Sequence, residues 1–246
     1  MLKSPSTKAL VTLAMAVAGI AALSTPMALA QGSTKPTPTQ GTPAKPFIKT
    51  VPAEKAFPFY EPYLKLAPSE RTHMRMSYQF KITGTEARDL KIRLLSGQKV
   101  TPVTIGLKGE PSVYPTLEDL KNKAQLQFEA PKEPKISISM ELRPTTPADT
   151  DIPVADLVKA IDQVNKGSKK MAGVLAMAVP KMNAIFLMGG TNGQAVMADG
   201  SQRPLPMVQE GKVAVFVPDN HKGAIRLVFD TAPEQMQIGP YKPKKS

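Results

Sequence analysis

Proline and glycine leave this chain little room for long regular elements. Its 246 residues include 25 Pro and 16 Gly, and between them apolar residues recur with period two. Met74, Met76, Tyr78, Phe80 and Ile82 alternate with polar neighbours without a break. Leu90, Ile92 and Leu94 repeat the pattern after Gly84, and Val103, Ile105 and Leu107 repeat it after Gly97. Ala124, Leu126 and Phe128 alternate up to Pro131, and Ile136, Ile138, Met140 and Leu142 up to Pro144. Period two turns one side of each run inward. Short runs closed by Gly or Pro are the mark of antiparallel strands. The pattern predicts a mainly β (α+β) fold of antiparallel, sandwich-like sheets.

The period changes once. Val154, Leu157, Val158, Ile161, Val164, Met171, Leu175 and Ala178 step by three or four, which predicts one amphipathic helix over about 153–179. Asp151 is the expected cap and Pro180 the stop. A break at Gly167-Ser168 would place Lys169 and Lys170 at a second helix N-terminus, against the dipole, so one continuous helix is expected. Strands resume over 183–188, 194–198, 212–217, 224–229 and 235–238. The runs 212–217 and 224–229 read as a pair around the turn 218–223.

The β-rich stretches on either side of the helix share an order of features. The first runs from a strand ending near Leu95 to Gly109, Pro115, a strand up to Pro131, a strand over 136–142 and Pro144. The second runs from a strand ending near Met188 to Gly200, Pro206, a strand up to Pro218, a strand over 224–229 and Pro233. This predicts two related β units joined by the helix. The alternative is that any antiparallel chain shows strand, Gly, strand, Pro.

Residues 1–30 read as a secretory leader. Lys3 and Lys8 precede or open an apolar run over 9–23, and Ala28-Leu29-Ala30 precedes Gln31. The run is shorter than the roughly 20 residues a membrane span needs, and no later segment reaches that length. The expectation is a soluble mature chain in the periplasm or outside the cell, cleaved after Ala30. Pro36, Pro38, Pro43, Pro46 and Pro52, set among Thr, Gly and Lys, predict a disordered linker over 31–56. The expected organisation is then a first β unit over 57–150, the helix over 151–180, a second β unit over 181–240 and a basic tail over 241–246.

The absence of Cys excludes disulfides, thiolate metal sites and thiol nucleophiles. There are two histidines, His73 and His221, and no G-x-S-x-G elbow. His221 sits in a polar turn, where a solvated ring is expected. Ser96-Gly97-Gln98-Lys99 matches S-x-x-K but lies at a turn. His73-Met74-Arg75-Met76 raises a copper question, yet a strand points His73 away from both methionines. Gly189-Gly190-Thr191-Asn192-Gly193 lacks the lysine of a phosphate loop. No catalytic residue, metal or cofactor is therefore expected.

Binding candidates remain. Phe57, Phe59, Tyr60 and Tyr63 lie close together, interrupted by Pro58 and Pro62, which should prevent a regular helix. Tyr60 and Tyr63 are the candidate contacts for a protein partner, together with exposed sheet edges. The net charge of +12 is concentrated towards the ends, and Lys242, Lys244 and Lys245 are candidates for an anionic partner. Dense basic runs interleaved with aromatics are missing, so nucleic acid is not an expected partner. The reading is a non-catalytic binding or accessory protein of the envelope, with an envelope protein or an anionic cell-surface component as partner. The alternatives are a periplasmic assembly chaperone or a small hydrolase built on a carboxylate pair.

Overall fold

Alternation decides which side of each strand is buried, and the computed structural model follows it through residues 45–173 and 179–243, the part of the chain that the structure describes. The first half runs β1 (Phe47–Pro52), α1 (Ala53–Ala56), α2 (Tyr60–Leu64), β2 (Met74–Thr83), β3 (Lys91–Ser96), β4 (Lys99–Val103), α3 (Leu117–Lys121), β5 (Gln125–Ala130) and β6 (Lys135–Pro144). The second runs β7 (Asp151–Pro153), α4 (Val154–Ala172), β8 (Ala184–Met188), β9 (Gln194–Met197), β10 (Gln202–Pro204), β11 (Met207–Val208), β12 (Val213–Phe216), β13 (Ala224–Val228) and β14 (Gln235–Gly239). The fold is mainly β, with antiparallel sheets and one long helix, as the patterning requires.

Three sheets form among the described residues. Two have four strands, in the orders β1-β5-β3-β4 and β10-β9-β13-β7, and one has six, β11-β12-β8-β14-β6-β2. Read from the other edge, the second small sheet is β7-β13-β9-β10, so its strands follow the same chain-order plan as the first. Likewise β2 pairs with β6, and β8 with β14. The two halves therefore share one topology, and they meet where β6 pairs with β14 at Leu142 and Ile238. The correspondence differs from the one that the spacing suggested. It matches β3 with β9, β5 with β13 and β6 with β14, one strand further along the second half. Ala130-Pro131 and Ala232-Pro233 mark the same connection in each half. The helix α4 is the second half's counterpart of α1 and α2, since each follows an edge strand ending in proline.

Other expectations are corrected. The stretch 47–52, expected within a disordered linker, is a strand, because β1 pairs along its whole length with β5. The prolines near Tyr60 do not exclude a helix: α2 is a single short segment with Pro62 in its first turn, where the N–H has no intrahelical partner to lose. The run Val103, Ile105, Leu107 is not one strand. It leaves β4 at Val103 and turns as a hairpin bridged at Ile105 and Pro111, with Leu107 fully exposed at the tip. β12 and β13 do not pair; the turn between them carries the chain from one sheet to another. α4 is continuous through Gly167-Ser168 but ends at Ala172, where Gly173 turns left-handed (φ 53°). The expected continuation over 174–178 lies outside the described residues. Asp151 is not a cap: it lies in β7, and its Oδ2 accepts from Arg226 Nη1 at 2.7 Å.

One hydrophobic cluster joins the sheets. Met76, Tyr78 and Phe80 of β2, Leu142 of β6, Ile238 of β14 and Ile185 and Leu187 of β8 face Leu94, Leu126 and Phe128 of one small sheet and Ala195 and Leu227 of the other. Leu157, Ile161 and Val164 of α4 close the same core. Each fully buried Leu or Ile stabilises by roughly 1.5–3 kcal/mol. Gly167 suits this packing, because a Cβ there would lie 2.8 Å from Met74 Cε and 3.2 Å from Leu66 Cδ1.

The exposed edge of β2 is closed by the hairpin over 104–112. Phe80 N donates to Gly109 O at 2.8 Å, and Tyr78 N donates to Tyr114 Oη at 3.2 Å. Gly109 is left-handed (φ 82°), and a Cβ would meet Phe80 O at 2.8 Å. Gly200 has a similar φ of 83° with nothing within 4 Å. Gly109→Ala should therefore cost about 2–4 kcal/mol in denaturant unfolding, against about 1–2 kcal/mol for Gly200→Ala. Equal costs would show that the hairpin does not seat on β2.

Candidate functional site

The six-stranded sheet buries one face in the core and turns the other outward. Alternation places Arg75, Ser77, Gln79 and Lys81 of β2 on the outward face, with Lys135, Ser139, Glu141 and Arg143 of β6 and Gln235 and Gln237 of β14. Arg143 is almost wholly buried there, with 6% of its side chain exposed. Its Nε and Nη2 donate to Glu141 Oε2 at 2.9 and 2.7 Å, and its Nη1 pairs with Glu110 Oε1. Gln235 Nε2 donates to the same Glu141 oxygen at 2.8 Å. The Gln79 amide completes the set when its nitrogen faces Glu141 Oε1 at 3.1 Å and its oxygen faces Arg143 Nη2 at 3.0 Å.

Glu110 comes from the hairpin that covers the β2 edge, so this ion pair also fixes the hairpin over the sheet. Lys108, on the same hairpin, reaches the second half, donating to Glu234 O at 2.8 Å. Beside that contact runs an open groove of about 480 Å³, lined by Met188, Gly189, Thr191, Lys212, Glu234 and Gln235 among others. Glu110 and Glu141 thus share one guanidinium. A buried ion triad of this kind mainly specifies structure, since desolvation offsets most of the attraction.

The remainder of the outward face is apolar and covered. Ala184, Val215 and Val217 are buried there, with Phe186, Val208 and Tyr241 packed on them. Tyr241 is pinned by a reciprocal amide: its N–H donates to Asn183 Oδ1 at 2.7 Å, and Asn183 Nδ2 donates to its carbonyl at 3.0 Å. Its ring stands edge-on to Phe186 at 6.3 Å. Lys242 follows this anchor and is exposed. Lys244 and Lys245 lie outside the described residues.

Tyr60 and Tyr63 lie on the other side of the sheet, packed towards the core. Tyr63 is buried, and Tyr60 is half-buried and stacked on it at 5.7 Å. Both belong to a cluster with Phe57, Tyr78 and Tyr114. Burial pushes the Tyr60 phenol up to about 12, helped by its Tyr63 and Tyr114 neighbours and opposed by Arg71. Burial pushes Tyr78 up as well, and its hydroxyl donates to Pro58 O. These rings contribute stability in their neutral form. That contribution is complete below the unfolded phenol value near 10 and is lost as pH rises from there through about 12. Arg71 sits 5.3 Å over the Tyr63 ring, and its Nε is the one buried polar side-chain atom without a partner among the described residues. The structure therefore does not bring the aromatic candidates and Lys242 together: the sheet lies between them.

Several other candidates are placed plainly. His221 is buried and not solvated, because its Nδ1 lies 3.0 Å from Val217 O and its ring packs on Phe216 at 5.6 Å. Met74 and Met76 are in the core, and Met76 Sδ lies 3.1 Å from Tyr78 Oη. Among the described residues no group of three or more His, Cys, Asp or Glu could hold a metal ion, and no helix is long and apolar enough to cross a membrane. The small-sheet edges are each interrupted by proline. β1, β4, β7 and β10 each carry a proline, Pro52, Pro102, Pro153 and Pro204, which offers no N–H to a neighbour.

If Arg143 is the cation that holds the two glutamates, Arg143→Met should destabilise the fold by about 3–5 kcal/mol in denaturant unfolding. Adding Glu110→Gln and Glu141→Gln should restore most of the loss. A cost below about 1 kcal/mol for Arg143→Met alone would contradict this account. Compared with known proteins, the chain matches no family model, no curated protein and no solved structure, so this site is read from its own geometry.

Proposed function

We propose that this chain is an exported envelope protein that works by binding and not by catalysis, and that its partner is an anionic component of the cell surface. The leader-like residues 1–30 support the export. The anchored tail carries the binding reading. Tyr241 is fixed to Asn183 by two hydrogen bonds, so Lys242 and the lysines after it start from a defined point on the outward face. Cations attached to a rigid sheet lose less freedom on docking than cations on a free terminus. The glutamates of the same face pair with Arg143 and Lys108, which supports a structural part for those carboxylates, and Arg75, Lys81 and Lys135 leave the face basic on balance. Proline at the small-sheet edges favours recognition by a face over recognition by an added strand.

Removal of residues 242–246 should weaken binding to anionic vesicles or cell-wall fragments roughly tenfold or more at low salt, since each lysine near such a surface contributes about 1 kcal/mol. The difference should shrink as salt shortens the Debye length below about 8 Å. Co-sedimentation measures it, and equal binding with and without the tail would remove the electrostatic reading.

A further inference from the structure

We infer that the β2–β6–β14 part of the outward face docks on a bilayer containing anionic lipids, with Leu107 entering the headgroup layer. This rests on the reading that the chain binds an anionic envelope component, and it adds the chemical class of that component and the residues that meet it.

Charge is the first support. Arg75 and Lys81 on β2 and Lys135 on β6 are exposed and point outward. Among the described residues none of them has an ion-pair partner within 4.0 Å. The carboxylates that share the face, Glu110, Glu141 and Glu234, are held by Arg143 and Lys108. Arg75, Lys81, Lys108, Lys135 and Arg143 outnumber these three carboxylates by two, so the face keeps a net charge of +2, to which the tail adds Lys242.

Shape is the second. Arg75 and Lys81 are six residues apart on one strand, roughly 20 Å. Lys135 lies beyond Lys81, in the pair opposite Thr83. Cations spread over this distance on a sheet face match a planar array of headgroups better than one small anion.

The hairpin is the third. A single exposed leucine is ordinary on a protein surface. Leu107 differs in how it is held. Lys108 is fixed to Glu234 O at 2.8 Å, Gly109 O accepts from Phe80 N at 2.8 Å, and Glu110 pairs with Arg143. These three consecutive anchors hold the tip in place over the basic face and leave the apolar side chain wholly exposed. Binding at the membrane interface scales with buried apolar area and with attraction to anionic lipids, and the ordered tip supplies the first beside cations that supply the second.

The chain has no tryptophan, so Leu107→Trp is a single reporter. With vesicles of mixed phosphatidylglycerol and phosphatidylcholine its emission should shift to the blue, and with phosphatidylcholine alone it should not. Tryptophan at the exposed Ile225 of β13 should not shift with either. Leu107→Ser should lower partition roughly tenfold, and Arg75→Glu or Lys81→Glu roughly fivefold or more at low salt. Binding to vesicles without a shift at position 107 overturns the insertion. Binding to dextran sulfate but not to vesicles overturns the lipid assignment and leaves the anionic-partner reading standing. Failure to bind either removes both.

Discussion

The pairing of β6 with β14 makes one sheet out of two halves, and the rest of the structure depends on it. Each half alone would be a four-stranded sheet with a pair of strands beside it. Joined at Leu142 and Ile238, those pairs become four consecutive strands, β8-β14-β6-β2, of a six-stranded sheet. Its inner face then has enough width to gather side chains from both small sheets into one core. Its outer face becomes continuous too, which lets Lys108 of the first half reach Glu234 of the second. α4 adds to the seam, since it packs on β13 of its own half and on β2 and β6 of the other.

This arrangement bears on how the molecule can meet a partner. Sheets attract other chains at open edges, and the small sheets carry proline at each edge. The six-stranded sheet ends on one side in the two-residue β11 and on the other in β2, which the hairpin covers. The outward face of the large sheet carries the Glu110–Arg143–Glu141 ion triad. The same hairpin that closes an edge carries Glu110 into the ion triad, so closure of the edge and organisation of the face are one event.

Much of the local structure was legible because burial follows alternation. Met74 to Ile82 shows its inner face in the sequence, and the outward face could be read from the same run as Arg75, Ser77, Gln79 and Lys81. What alternation does not contain is pairing. The repeat was visible as a rhythm of Gly and Pro, but that rhythm is local, and it aligned β5 with β12 where the hydrogen bonds align it with β13. β1 was hidden because Lys49 and Pro52 make a strand look like a linker, although the alternation of Phe47, Lys49 and Val51 was there to see. In the site, the charge pair Glu141 and Arg143, two apart on a strand, was a signal for two side chains on one face. Their third partner, Glu110, comes from a hairpin that only tertiary structure brings over them. His221 failed for a related reason: its turn is polar in sequence, but Val217 O and Phe216 draw the ring inward.

If the seam unites the halves, their strands must open together. Native-state hydrogen exchange measures this directly, strand by strand. Amides of β2 and β6 should exchange with the same free energy of opening as those of β8 and β14, equal to that of global unfolding. A lower opening energy confined to β8 and β14, with β2 and β6 still protected, would contradict the account, because the second half would then come apart from a first half that stands without it.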